Sequence, residues 1–273
     1  MLLLSAPCDE TPPRAASGLT AALIQSLAGA LVLLASGLAM AGWEGAAGPL
    51  GRALMSAAFH AGFLAAGWAL ILDGSGWHRP ALRIAMLLVV VSLLSKVTAW
   101  GFAAYLVLPI ALFVEARRWR RSTMAGIAVP NLRSAAVGAL AGAFLGGHLL
   151  LTSALTFGYL VRIDSASAYL GAVAYDVGAN ALSAEWLFRG ALFSRWWRRW
   201  SFALAATLAT GCAVCRYVFD PNLPSAVETR LGAVFYMGLL SFASCGLRAW
   251  SGSLAPGYLA TVAFFLAYRT LSN

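Results

Sequence analysis

Apolar residues run along this chain in blocks of about twenty, each closed by a short polar or basic interval; ~20 residues at 1.5 Å apiece is what crosses a hydrocarbon layer about 30 Å thick. The blocks run from Gly18 to Ala41, Ala53 to Leu72, Ser134 to Gly158, Ala168 to Phe193, Phe202 to Phe219, Leu231 to Leu247 and Leu254 to Tyr268. Ala81 to Val114 is a longer apolar run interrupted by Lys96. Two short spans meeting near Ser95 to Trp100 fit it. One long tilted helix also fits, and would reverse the topology upstream. The interval from Asp73 to Pro80 is a loop by its Gly, Ser and Pro content. The expected fold class is all-α, a polytopic transmembrane helix bundle of about eight or nine spans. Residues 1–17 read as a disordered, Pro-containing tail. Residues 18–273 read as one bundle, with N-terminal spans over 18–115 and a core over 130–269.

Composition strengthens that picture. The chain is 61% hydrophobic and 11% charged, with mean hydropathy +0.78, whereas a soluble domain carries about 25% charged residues. The net charge of +9 does not point to nucleic acid, because most arginines sit in short clusters beside apolar blocks. The two strongest are Arg117-Arg118-Trp119-Arg120-Arg121 and Arg195-Trp196-Trp197-Arg198-Arg199-Trp200. Two spans separate them, so both fall on one face, and the positive-inside rule makes that face cytoplasmic. A multi-pass protein of the cell (inner) membrane is expected, with Arg162, Asp164 and the loop from Asp220 to Glu228 on the far side. With two spans between Ala81 and Val114, the N-terminus is cytoplasmic and the C-terminus is not. Small residues are frequent enough to allow close helix contacts throughout, and they single out no dimer face.

Little points to a cofactor. Met1-Leu2-Leu3-Leu4 is too short for a signal-peptide core. Cys8, Cys212, Cys215 and Cys245 form no disulfide pattern. Cys212-Ala213-Val214-Cys215 has no histidine nearby to complete a zinc site, and reads as small residues at a helix contact. His60, His78 and His148 are scattered, none with a partner at metal-motif spacing. No metal and no cofactor are expected.

The chemistry concentrates in Ala184-Glu185-Trp186-Leu187-Phe188-Arg189-Gly190. A charge at bilayer depth costs roughly 2.5–3.5 kcal/mol even on the lenient insertion scale, so it is paired, faces the bundle interior, or is functional. Glu185 and Arg189 have the i,i+4 spacing that lets side chains meet. At 100° per residue, Asp176, Asn180 and Ser183 share one face of the 168–193 helix, and Glu185 and Arg189 fall on roughly the opposite one. The plain reading of Glu185–Arg189 is an ion pair locking the helix into the bundle, and that of Asp176–Asn180 a polar packing contact. Arg216, toward the outer part of its span, either snorkels or belongs to a site. Glu185 and Arg189 are the candidate catalytic remnant; Asp176, Asn180 and Arg216 are candidate binding residues.

The stretch from Ala184 to Leu192 resembles the CPBP family, the CAAX-protease and bacteriocin-processing membrane proteins also labelled Abi. The family's first motif, Glu-Glu-x-x-x-Arg, stands here as Ala184-Glu185-Trp186-Leu187-Phe188-Arg189. The basic loops flanking this helix, and Gly246 to Leu254 before the last span, are also similar. The resemblance covers about Pro130 to Arg269 and implies an intramembrane-protease scaffold. The matching activity does not carry over. The glutamate that the family uses to activate water is Ala184, and a methyl group accepts no proton. The second motif, Phe-x-x-x-His, falls on Cys212 to Arg216, and arginine cannot shuttle protons near neutral pH. The third, His-x-x-x-Asn, falls on Thr261 to Phe265.

Two functions follow. The first is a CPBP-like pseudoenzyme: a membrane scaffold, an assembly factor, or a partner for another membrane protein or an apolar ligand within the lipid bilayer. The second is an active endopeptidase with a rearranged site, using Glu185 as base with Asp176, Asn180 or His148 in support. A transporter is less favoured, because the chain shows no matched pair of broken helices.

Overall fold

The computed structural model describes residues 16–41, 47–98, 100–118, 131–218 and 227–272. These form an all-α helical protein. Its helices Gly18–Met40, Gly48–Ile71, His78–Val97, Leu132–Phe157 and Leu231–Ser251 are long and apolar enough to cross a membrane, and Phe202–Tyr217 and Ala255–Tyr268 are shorter apolar helices. The chain divides into two compact units.

The N-terminal unit takes its described residues from 10–125 and 170–187. It begins with α1 (Ala16–Ala41), α2 (Ala47–Ile71) and α3 (His78–Val97). Helix starts at Ala16 rather than Gly18, and residues 1–15 of the expected tail lie outside the described residues. The central helix is α2: 61% of its apolar span is buried, against 11% for α1. The two pack closely, for a Cβ on Gly37 would lie 2.9 Å from the Gly51 carbonyl oxygen.

The long apolar run breaks where two helices were expected to meet. Thr98 is extended at φ −127° and ψ 148°, and ends α3. A 3-10 turn, Gly101–Leu106, then leads into α4 (Val107–Arg118). Arg83 near the start of α3 donates to Glu115 near the end of α4 at 2.9 Å, so the two run antiparallel. The wider 3-10 rise matters here. Six residues at about 2.0 Å and twelve at about 1.5 Å reach about 30 Å, as far as the twenty residues of α3.

The C-terminal unit takes its described residues from 126–169 and 188–273. Asn131 starts α5 (Leu132–Phe157) by accepting the Ser134 amide at 2.7 Å, two residues before the expected boundary. Gly158 ends it in the left-handed conformation, φ 69°. Further helices are α9 (Phe202–Val218), α10 (Val227–Ser251) and α11 (Ala255–Tyr268). Among the described residues the strands are β1 (Leu160–Val161) and β2 (Leu271–Ser272), paired antiparallel.

Gly138, Gly142 and Gly146 form the contact of α5 with α11. A Cβ on Gly138 would lie 2.1 Å from the Pro256 carbonyl oxygen, one on Gly142 2.0 Å from that of Ala260, and one on Gly146 2.7 Å from the Ala267 methyl. Partner numbers rise with glycine numbers, so the helices are parallel and start at one end of the unit. Close backbone approach through small residues is the usual packing device in membranes. Phe193, Ala205, Ala206, Ala209 and Cys245 form one buried cluster, covered by Trp196 and Trp197. Leu149, Tyr236, Leu240, Phe264 and Phe265 belong to another.

Candidate functional site

The motif lies in a helical run over 166–197 that is not regularly wound. It comprises α6 (Ala166–Tyr175), a π-helical segment Asp176–Asn180, α7 (Ala181–Ala184), a second π segment Glu185–Phe193, and α8 (Ser194–Trp197). The regular 100° per residue used to assign faces therefore does not hold through the two π segments. π turns bond i to i+5, are rare, and are frequent at functional sites. Both segments fall on the residues that sequence reasoning singled out.

The first π segment has a visible consequence in the N-terminal unit. Eight residues of regular α-helix turn about 800°, leaving Tyr175 and Ser183 about 80° apart. One extra residue taken up in a π turn removes about 100° of that offset, so the two side chains share a face. Both meet His60 of α2: the Tyr175 hydroxyl lies 2.6 Å from Nε2 and the Ser183 Oγ 2.8 Å from Nδ1. His60 is 2% exposed and Ser183 is fully buried. Ser56 donates to the Tyr175 oxygen at 3.2 Å, and Ser183 donates to the Asn180 carbonyl at 3.3 Å. One assignment satisfies every donor: Ser56 to Tyr175, Tyr175 to Nε2, Nδ1–H to Ser183, Ser183 to the Asn180 carbonyl. In that assignment the Ser183 proton points to the Asn180 carbonyl and away from the imidazole.

Asp176 and Asn180, candidate binding residues, do come together. Asn180 Nδ2 donates to Asp176 Oδ1 at 2.9 Å, with both side chains buried. Gly178 between them permits a close approach, since a Cβ there would lie 2.1 Å from the Tyr105 carbonyl oxygen. Tyr105 in turn stands edge-on to Tyr175 at 5.6 Å and donates to Ser92 at 3.0 Å. Ala184 and Glu185 are 1% and 2% exposed, and Trp186 packs on Trp68 with ring centres 4.7 Å apart.

The C-terminal unit holds the other motif positions. Arg189 is 3% exposed, and its carbonyl accepts the Ser194 hydroxyl at 2.9 Å. Arg216 is buried with its guanidinium 4.7 Å from the centre of the Tyr217 ring. Thr261 is buried, and its hydroxyl donates to the Gly257 carbonyl of its own helix at 3.0 Å. His148, a candidate support for Glu185, instead pairs with Tyr236. Cys212 and Cys215 are exposed on α9, which corrects their assignment to a helix contact.

Sequence reasoning missed two features. His60 reads from the sequence as one of three scattered histidines, and its partners lie 115 and 123 residues away. Glu115, buried between Arg83 and Arg118 at 2.9 and 3.4 Å, drew no notice, though an acid inside an apolar run was the available signal. Among the described residues no three His, Cys, Asp or Glu side chains gather as a metal site would need. Compared with family models, with curated proteins and with solved structures, the chain matches none.

Proposed function

We propose that this chain is a CPBP-like integral membrane protein that has lost peptidase chemistry and serves as a scaffold or binding partner for another membrane component. The observation that carries the reading is the state of the three positions where the family resemblance puts proton chemistry. Ala184 presents a buried methyl, Arg216 a buried guanidinium, and Thr261 a hydroxyl engaged within its own helix. A general acid or base must reach a water within hydrogen-bond distance and titrate near working pH, which is worth about 10²–10⁴-fold in rate. None of the three does. Glu185, the remaining carboxylate of the motif, is itself 2% exposed. The reading extends to topology: the cell membrane, with the clusters at 117–121 and 195–199 cytoplasmic.

The test is a cleavage assay on the purified chain in liposomes, with quenched prenylated and transmembrane peptides. No cleavage is expected. Cleavage abolished by Glu185→Gln would overturn the proposal and establish the rearranged endopeptidase.

A further inference from the structure

We infer that α5 carries a binding site for the ring carbonyl of a lipid-soluble quinone, with His148 as the hydrogen-bond donor. α5 is long and apolar enough to cross a membrane. At about 1.5 Å per residue, His148 stands about 5 Å from the midpoint of this helix. It is exposed there, on a face shared with Phe144, Gly147 and Leu151 at helical spacing. Both hydrogen bonds of the imidazole among the described residues are at Nδ1, with the Tyr236 hydroxyl and, at 3.4 Å, with Thr152 Oγ1. Tyr236 is buried in the cluster that holds Leu149 and Phe264, so it fixes the ring in place. The buried phenol has one proton to donate, and Nδ1 lies nearer to it than the Thr152 oxygen at 3.4 Å. With Tyr236 donating to Nδ1, the neutral imidazole carries its own proton on Nε2. That N–H faces hydrocarbon, where water offers no acceptor and an unpaired donor is penalised.

Depth and shape select the acceptor. A hydrocarbon layer about 30 Å thick puts glycerolipid ester carbonyls about 15 Å from its midplane, out of reach of a donor about 5 Å from it. A quinone carries its carbonyl on a ring that dissolves in the hydrocarbon itself. A Cβ on Gly147 would meet nothing within 4 Å, so the backbone is open there between exposed Phe144 and Leu151. The Phe144 ring stands 6.4 Å from the imidazole at 43°. A flat ring laid on Gly147 therefore meets Phe144 at its side and the His148 N–H at its edge. A second copy packed face to face would instead bring Leu140, Phe144, Leu151 and Leu155, none of them an acceptor. This inference does not rest on the loss of peptidase chemistry.

Saturation binding of decylubiquinone to the full chain in phosphatidylcholine nanodiscs tests it, read together with the infrared carbonyl stretch of the quinone. Saturable binding is expected, with the ketone band moved to lower frequency by the hydrogen bond. His148→Phe keeps an apolar aromatic surface; it should weaken binding about five-fold, the net worth of one neutral hydrogen bond, and return the band to its free position. His148→Gln supplies an amide N–H and should keep the shift. Gly147→Leu fills the space under the ring and should abolish saturable binding. Binding that does not saturate overturns the proposal, as does a shift that persists in His148→Phe or binding retained by Gly147→Leu. Should His148→Phe fail to fold, the unaltered chain decides, because a ketone band at its free position there overturns the proposal outright. A lipid ester band that shifts without quinone and recovers in His148→Phe would assign the donor to glycerolipid. A dimer that His148→Phe dissociates, and that takes up no quinone, would assign the face to a second copy. Either result overturns the quinone site.

Discussion

The tightest joint in the C-terminal unit gives the sharpest test of its packing. A methyl added at Gly142 would sit 2.0 Å from the Ala260 carbonyl oxygen and 2.7 Å from its Cα. Carbon–oxygen contacts between close helices settle at about 3.3–3.6 Å, so α5 and α11 must part by about 1.3 Å. Overpacking a core by one methyl costs about 1–3 kcal/mol, and the upper end applies because both obstructing atoms are backbone and cannot rotate away. The better helix propensity of alanine offsets about 1 kcal/mol, leaving Gly142→Ala about 2 kcal/mol destabilised. Gly147, five residues further along α5, is an internal control, with nothing within 4 Å of an added Cβ. Gly147→Ala should gain the propensity term alone, about 1 kcal/mol. The two substitutions are chemically identical and should differ by about 3 kcal/mol, in opposite directions from the parent. Cys245, fully buried in the same unit, reports unfolding through its thiol once Cys8, Cys212 and Cys215 are serine. The temperature at which Cys245 becomes reactive should fall for Gly142→Ala and rise for Gly147→Ala. Gly142→Ala reacting at or above the temperature of Gly147→Ala would refute the parallel α5–α11 contact.

His60→Ala leaves Tyr175 and Ser183 without the ring between them and should cost about 1–3 kcal/mol. Adding Tyr175→Phe should then cost little more, and strictly additive losses in thermal unfolding would show that the chain of hydrogen bonds does not form. Removing both Arg83 and Arg118 should destabilise more than Glu115→Ala, because the carboxylate is buried whereas the guanidiniums are 58% and 64% exposed and regain water; the reverse order would place Glu115 in solvent. For topology, cysteines at Arg118 and Ser201 should both react with an impermeant thiol reagent on the cytoplasmic side of oriented vesicles, and one at Asp164 on the other; opposite-side labelling of the first two would overturn the assignment of the basic clusters.

The apolar blocks place the helix ends within about six residues, the widest miss being the start of α2 at Ala47 rather than Ala53, because length and polarity decide a span and because the breaks are chemical. Asn131 and Gly158 bound α5 by capping, and the interruption near Ser95 to Trp100 is where α3 ends. What was not legible was pairing. Gly138, Gly142 and Gly146 are plain in the sequence at four-residue spacing, but so are many small residues in this chain. Only the backbone of α11 lying against those three distinguishes them from Gly147, which meets nothing. His60 had the same difficulty: nothing local marks a histidine whose two partners arrive from a helix more than a hundred residues away.

The winding of the 166–197 run shows where the candidate site escaped a periodicity argument. At 100° per residue Tyr175 and Ser183 diverge, and the face that holds Ser183 excludes Tyr175. The π turn at Asp176–Asn180 realigns them, and His60 can then be bonded at both ring nitrogens. A π turn lengthens backbone hydrogen bonding and is tolerated where surrounding contacts compensate. Here the compensation is visible: the imidazole bridge on one side, the Asn180–Asp176 bond within the turn, and the Tyr105 backbone pressed against Gly178. The polar residues of this helix are thus used up in holding an irregular backbone to its neighbours. That is the arrangement expected of a structural joint, and it argues against Asp176, Asn180 or Ser183 being poised to support Glu185 in catalysis. On the function proposed above, a helix so fastened would keep the motif's shape without its proton chemistry.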